Sequence, residues 1–376
     1  MKVVCVDDEK LALDIMTHLL GKIEQIEVVG SFQKVKTALN FVLDEQVDVV
    51  FLDIEMPEIN GLELAEKILE KKPHIEIVFV TAYNEYAVEA FELNAIDYLM
   101  KPVNLTRLEK TIERLSKKTT ANPEASSKDK EKTLHIKLTH NLSFALGDNP
   151  FEPLKWRTAK ARELFLYLLQ NKNTLVHKGT LMEMLWGEED LDRGYSILYT
   201  TVYNVRKALQ TYGENLELQN TNDGYILKLH NVDVDLHTWE KEVTQLPSEI
   251  TQDSIDDYVR VMTLNTGPYL GEFDYIWVEP ERYRLETLCI VTMQKMVDYF
   301  IEQDDREEAV KWLQLIVQRQ PELEDTHLLL MKLFEENNLD HLVKKQYDDY
   351  LAIQKSFDLR PSPKVKKWFT DYLERM

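Results

Sequence analysis

Asp7-Asp8, Asp53, Thr81 and Lys101-Pro102 each stand immediately after a short apolar run: Val3–Val6, Val47–Leu52, Ile77–Val80 and Ala95–Met100. Three carboxylates gathered at one place repel one another and raise some of their own pKa values. A hard divalent cation relieves that repulsion, and Mg²⁺ suits the donor set because it takes one or two carboxylates, a carbonyl oxygen and retained waters. Phosphoryl transfer onto a carboxylate needs a nucleophilic Asp, a metal to offset incoming charge, and a cation for the phosphoryl oxygens. Asp53, Asp8 with Mg²⁺, and Lys101 fit those three roles.

The four runs, with Val28–Val29, are short and β-branched, and they alternate with amphipathic stretches. Leu11–Leu20, Val35–Leu43, Leu62–Leu69 and Tyr86–Leu93 space their apolar residues three and four apart, and Leu105–Leu115 closes the series. Near-continuous apolar strands separated by helices predict a parallel sheet covered on both faces. Residues 1–118 therefore read as a doubly wound α/β domain, (βα)₅. In such sheets ligands bind at the carboxyl ends of the strands, which is where the acids, hydroxyl and ammonium stand.

The chain has 376 residues, and its 45 basic against 66 acidic residues leave a net charge of −21. Its 44% hydrophobic content excludes a disordered chain, and the length gives room for two or three domains. Cys5 and Cys289 are the only cysteines, too few for a disulfide framework or a cysteine zinc site. No run approaches the ~18 apolar residues of a bilayer span, so a soluble, cytoplasmic protein is expected. Residues 116–133 hold no large apolar side chain, and 119–133 read as a flexible linker.

Residues 134–230 read as an α+β winged helix-turn-helix domain. Leu134/Ile136/Leu138 and Leu142/Phe144/Leu146 alternate as strands. Three helical patterns follow, and Leu216–Leu229 forms a hairpin turning at Asn222-Asp223-Gly224. Residues 231–376 are all-α, with a weak echo at an offset of 35 (Trp312/Tyr347, Leu315/Tyr350, Ile316/Leu351) close to the ~34-residue period of tetratricopeptide helix pairs.

The acidity is unevenly placed. Residues 131–230 carry 12 basic and 12 acidic residues, whereas 231–376 carry 17 and 30. Within the winged helix, Lys155–Arg162 holds four basic residues and no acid, and Arg193–Tyr212 holds three and no acid. Such a local basic face suits phosphate contact by an otherwise acidic protein. On the third helix Leu198, Val202, Val205 and Leu209 form the buried stripe, so Ser196, Tyr199, Thr200, Tyr203, Asn204 and Lys207 are expected to point outward. Asn and Thr can read base edges, while Tyr, Ser and Lys can hold phosphates. Elsewhere, Glu85, Glu89 and Glu92 share one helix face and Arg107, Lys110 and Arg114 another, offering either a pair of complementary dimer surfaces or two ordinary solvated faces.

Residues 1–118 resemble the receiver domain of two-component response regulators through VCVDDE (4–9), FLDIEMPEINGLEL (51–64), FVTAY (79–83) and DYLMKPV (97–103). The resemblance implies a CheY-like fold, Asp53 as phospho-acceptor, Asp8 as a direct Mg²⁺ ligand and Asp7 acting through water, with the Glu55 carbonyl completing the set. It makes Thr81 the residue that closes on the phosphoryl group, Tyr98 the aromatic that swings with it, and the Lys101–Pro102 peptide cis. Residues 134–230 resemble the OmpR/PhoB-type winged helix through LMEMLWG (181–187), TVYNVRKAL (201–209) and GYIL (224–227), with Arg206 kept and Asn204 replacing a frequent second arginine. Residues 231–376 resemble the bacterial transcriptional activator domain through VDVDLHTWE (232–240), YLGEF (269–273) with WVEPERYRLETL (277–288), and FDLRPSPKVKKW (357–368). The layout is that of SARP-type activators, in which a receiver is usually absent. It implies a DNA-binding regulator, not an enzyme beyond its own aspartyl phosphorylation and dephosphorylation, whose partners are a sensor histidine kinase, double-stranded DNA and a second copy of the chain once phosphorylated. Residues 231–376 could make dimers, recruit RNA polymerase or gate the DNA surface. The competing readings are an interaction scaffold that has lost DNA and an aspartate-nucleophile phosphatase.

Overall fold

The computed structural model describes residues 1–57, 59–72, 74–82, 97–119, 132–187, 195–265 and 267–376. Glu85, Glu89 and Glu92, the helix expected over Tyr86–Leu93 and most of the linker lie outside them. The described residues form two compact units, Met1–His135 with Phe144–Val232, and Ile136–Ser143 with Asp233–Met376.

The first unit opens with β1 (Lys2–Val6), α1 (Lys10–Leu20), β2 (Glu27–Phe32), α2 (Val35–Asp44), β3 (Val49–Leu52), α3 (Gly61–Lys71), β4 (Glu76–Thr81), β5 (Asp97–Met100) and α4 (Leu105–Thr119). The strands form one parallel sheet in the order β2-β1-β3-β4-β5. Alternation along each strand divides the core into two layers. Val4, Val6, Val50, Leu52, Ile77 and Phe79 pack against α2 and α3. Val3, Cys5, Val49, Phe51, Val78 and Val80 pack against α1 and α4. Burial on both faces is why these runs read as continuously apolar, and the doubly wound expectation holds.

β6 (Leu134–Lys137) and β7 (Ser143–Leu146) follow, at the places read as strands. The winged helix continues with α5 (Ala159–Gln170), β8 (Val176–His177), α6 (Lys178–Trp186), α7 (Ser196–Leu209), β9 (Leu216–Asn220) and β10 (Gly224–Leu229). β8, β10 and β9 form an antiparallel sheet in that order. Gly224 is required at its turn, since a Cβ there would lie 2.0 Å from the Val176 carbonyl oxygen. Leu198, Val202, Val205 and Leu209 are buried along α7, as their spacing predicts.

The second unit carries β11 (Val232–Val234) at its border and the helices α8 (Asp235–Gln245), α9 (Ile255–Leu264), α10 (Glu279–Glu302), α11 (Arg306–Arg319), α12 (Glu324–Glu336), α13 (Asp340–Ser356) and α14 (Pro363–Arg375). α10 to α13 pack each against the next, the arrangement of a helical-repeat array. Of the pairs echoed at offset 35, Trp312, Tyr350 and Ile316 are buried, whereas their counterparts Tyr347, Leu315 and Leu351 are half-buried. Ile136–Ser143 is drawn into this unit by α8: the Asp235 carboxylate accepts hydrogen bonds from the amides of Leu138 and Thr139 and from the Thr139 hydroxyl. No helix among the described residues is long and apolar enough to cross a membrane.

Candidate functional site

The parallel register carries one residue past each strand end and sets the acidic site. Val6 pairs with Leu52, and the Asp53 amide then donates to the Val6 carbonyl at 2.9 Å, so Asp7 and Asp53 lie side by side. At the other edge the Lys101 amide donates to the Thr81 carbonyl at 2.9 Å. Lys101 reaches across these ends, its Nζ lying 2.7 Å from Asp7 Oδ2 and 2.8 Å from Asp53 Oδ2. The Ile54 amide donates to Asp53 Oδ1 at 2.7 Å, which fixes the carboxylate plane and leaves Oδ2 to the ammonium. The Glu9 amide holds Asp7 Oδ1 at 3.0 Å. Asp7, Asp8 and Asp53 each offer a carboxylate oxygen within 4.8 Å of the others. Thr81 is buried, Asp8 half-buried and Glu55 exposed.

Burial raises the Asp53 pKa above the ordinary carboxylate value, against the opposing pull of Lys101. The hydrogen bonds to Asp53 and Asp7 raise that of Lys101 although burial alone would lower it. One ammonium thus contacts two of the three gathered carboxylates but cancels only one unit of their charge, and the hard oxygen set with its remaining negative charge fits a divalent cation such as Mg²⁺. The Lys101–Pro102 peptide is cis. Tyr98 lies in β5 in register with Phe79; its side chain falls outside what is described. Arg107 is half-buried on α4, and Lys110 and Arg114 are exposed.

α3 is positioned by the same loop. The Gly61 amide donates to the Ile54 carbonyl at 2.8 Å, and Asn60 caps the helix by accepting from the Glu63 amide. A Cβ at Gly61 would stand 1.9 Å from the Asp53 carbonyl oxygen, so only glycine allows the helix to begin there.

The outward face expected on α7 requires correction. Ser196, Tyr199, Thr200 and Asn204 are 4%, 4%, 0% and 3% exposed, and Tyr203 is half-buried; Lys207 alone of the six is exposed. For Tyr199 and Tyr203 the reason is that α3 packs against α7. Tyr199 and Tyr203 join the core layer beside α2 and α3. The Tyr199 hydroxyl donates to Glu63 at 3.0 Å, and Lys178 Nζ lies 3.8 Å from the same carboxylate and 5.0 Å from the Tyr199 ring centre. The Tyr225 hydroxyl donates to Glu66 at 2.7 Å. Arg206 lies 3.4 Å from Glu66 and 4.0 Å from Glu70, which also accepts from the Asn220 amide at 3.3 Å. Sequence reasoning missed Glu63, Glu66, Glu70, Lys178 and Tyr225. The usable signal was Glu66, an acid set between Leu62, Ala65 and Leu69 on an otherwise apolar helix face.

Family models match three successive segments: the response regulator receiver domain over residues 3–113, the transcriptional regulatory protein C-terminal domain over 155–227, and the bacterial transcriptional activator domain over 234–369. Among curated proteins, an uncharacterised response regulatory protein of Vibrio cholerae is 45% identical over 115 residues, 31% of this chain and 48% of that one. The transcriptional regulatory protein LytR of Staphylococcus aureus is 41% identical over 115 residues, 31% and 47% of the two chains. The sensory transduction protein LytT of Bacillus cereus is 34% identical over 149 residues, 40% and 60%. The chain spans about half the length of the curated relatives it matches. Among solved structures, the response regulatory domain of protein mrkE from Klebsiella pneumoniae is 39% identical, covering 32% of this chain and all of that one, with a TM-score of 0.31. The three matched segments stand in one polypeptide, so the chain joins a response regulator receiver domain to a transcriptional regulatory domain and a bacterial transcriptional activator domain.

Proposed function

We propose that this chain is a cytoplasmic, phosphorylation-controlled transcription regulator, phosphorylated on Asp53 by a sensor histidine kinase and acting on double-stranded DNA through the winged helix. The observation that carries the reading is Lys101, held at hydrogen-bond distance from both Asp7 and Asp53 beside Asp8. Asp53 Oδ2 is the attacking oxygen: it forms the bond to phosphorus while the bond to the phosphodonor breaks. Asp7, Asp8, Asp53 and the Glu55 carbonyl would hold Mg²⁺, which offsets the charge of the incoming phosphoryl group. Lys101 then takes up a phosphoryl oxygen, and buried Thr81 closes on another, with Tyr98 following it. The modification brings about −1.5 to −2 charge to a site that Lys101 already partly neutralises.

The remaining assignments belong to the same reading. Domains run 1–118, 134–230 and 231–376, with 119–133 as linker. Ser196, Tyr199, Thr200, Tyr203, Asn204, Arg206 and Lys207 make up the set that would meet DNA, of which Lys207 alone is exposed in this structure. Arg107, Lys110 and Arg114 pair with Glu85, Glu89 and Glu92 of a second copy on phosphorylation, and 231–376 offers a surface to RNA polymerase. Asp53→Ala tests the core of the scheme: label from acetyl phosphate with Mg²⁺ should disappear, and label retained at another residue would refute the acceptor. Sedimentation with and without beryllofluoride tests pairing, and identical profiles would remove the dimer.

A further inference from the structure

The side of α7 assigned to a DNA groove faces α3, and α3 meets it with a row of carboxylates. Glu63, Glu66 and Glu70 stand three and four residues apart, hence on one face of the helix. Each is engaged by donors of the winged helix: the Tyr199 hydroxyl, the Tyr225 hydroxyl with the Arg206 guanidinium, and the Asn220 amide. Tyrosine hydroxyls, arginine and lysine head groups and backbone amides are the groups that hold DNA phosphates in regulator complexes. Here one acidic helix occupies donors from the recognition helix, from the start of α6 and from the wing together.

We propose that α3 is a built-in stand-in for a phosphate backbone, capping the recognition helix and wing so that DNA can dock only after α3 and α7 part. The proposal rests on the reading of α7 as the DNA-facing element and adds what controls its access.

Two further features fit a cap designed to open. Arg206 Nε and both polar side-chain atoms of Asn220 are buried with no hydrogen-bond partner among the described residues, so the closed contact leaves donors and an acceptor unmet that solvent or phosphate would satisfy. The capping helix also starts on the phospho-acceptor's own backbone, through the Gly61–Ile54 hydrogen bond and the close approach of Gly61 to the Asp53 carbonyl. A rearrangement at Asp53 therefore reaches α3 within one loop.

The test uses the full chain, unphosphorylated, comparing wild type with a Glu63→Gln/Glu70→Gln variant, which removes carboxylate charge from the contact and leaves Glu66 in place. Amide hydrogen exchange over 61–71 and 196–209 should quicken in both helices, and affinity for fragmented genomic DNA should rise about tenfold, as charge-assisted contacts are lost from the closed form alone. A Glu70→Cys/Asn220→Cys chain keeps the other contacts; the native Cys5 and Cys289 are buried and do not compete. Oxidised, it should fail to bind DNA even with beryllofluoride, and reduction should restore binding. Unchanged exchange in the Gln variant with normal DNA binding, or equal binding by the oxidised and reduced chains, overturns the cap alone. Faster exchange with no duplex bound by any form overturns the DNA reading of α7, and the cap with it.

Discussion

The acidic pocket and α7 are both polar constellations on regular elements, yet they differ in what completes them. The pocket is finished by the sheet itself: four strand ends in fixed register place Asp7, Asp53, Thr81 and Lys101 within reach, and the lysine bridges two of the acids. α7 is met by a neighbour that sequence spacing does not name, and its Tyr199, Tyr203 and Arg206 are spent on α3. A site made by hydrogen-bonded register is ready before any signal arrives. A site whose donors are already taken becomes available after a conformational change, and on the proposed scheme chemistry at the first is read out at the second.

The sharpest way to break this contrast is to remove the pocket's cation. Lys101→Met leaves Asp7 and Asp53 facing one another without an ammonium, and phosphoryl incorporation should fall by about 100-fold, the scale of losing one charge-stabilising donor. A rate within threefold of wild type, measured with labelled acetyl phosphate, would mean the pocket is not completed by Lys101.

Gly61→Ala attacks the join between the two regions. The new methyl group meets the Asp53 carbonyl oxygen, so the helix must shift, at a cost of about 3 kcal/mol in urea unfolding. Exchange over 196–209 should quicken in the same variant; a stability change with α7 still protected would uncouple the helices.

pH sharpens the comparison from the other side. Burial pushes Glu66 up to about 7, opposed by Arg206, by the Tyr225 hydroxyl and by Lys178, with Glu70 reinforcing it. Glu63 and Tyr199 also border the group. With the two helices apart Glu66 returns to about 4.5. Because the closed form has the higher pKa, its stabilisation is complete below the open-state value and is lost as pH rises through the closed-state one. Opening, followed by exchange corrected for intrinsic rates, should therefore increase from pH 5 to pH 8 in wild type and stay flat in Glu66→Gln. Parallel profiles would detach the carboxyl from the contact.

The smallest effect is expected at Lys207. Lys207 is exposed, and on the proposed reading it meets phosphate, so its replacement by Ala should weaken binding about equally on every sequence and lower the salt slope by about 1. A sequence-dependent loss would place Lys207 among the base-reading residues instead.

The pocket was legible in the sequence because a parallel sheet has one place for strand-end residues to go, and the acids, Thr81 and Lys101 each follow an apolar run. The inner stripe of α7 was legible for a similar reason, since Leu198, Val202, Val205 and Leu209 are spaced for burial. The other side was not. Helical periodicity separates two faces but carries no information about a second element arriving over the polar one, and Tyr199, Tyr203 and Arg206 are residue types at home in water or at an interface. The three α3 glutamates have the spacing of an ordinary solvated face, and only the apolar company of Glu66 hinted otherwise. Likewise, alternation found β6 and β7, while the bond network of Asp235 that assigns Ile136–Ser143 lies about a hundred positions away.

That last assignment bears on how this protein can be dissected. The polypeptide leaves the first unit at Ile136, returns at Phe144 and departs again after Val232, so the helical unit is not a tail that ends where the wing ends. Trimming after His230 would strip Asp235 from Leu138 and Thr139 and strand Ile136, Leu138 and Leu142, all buried in the intact chain. Deletion phenotypes from that cut would report exposed hydrophobic surface as much as any lost regulatory contribution.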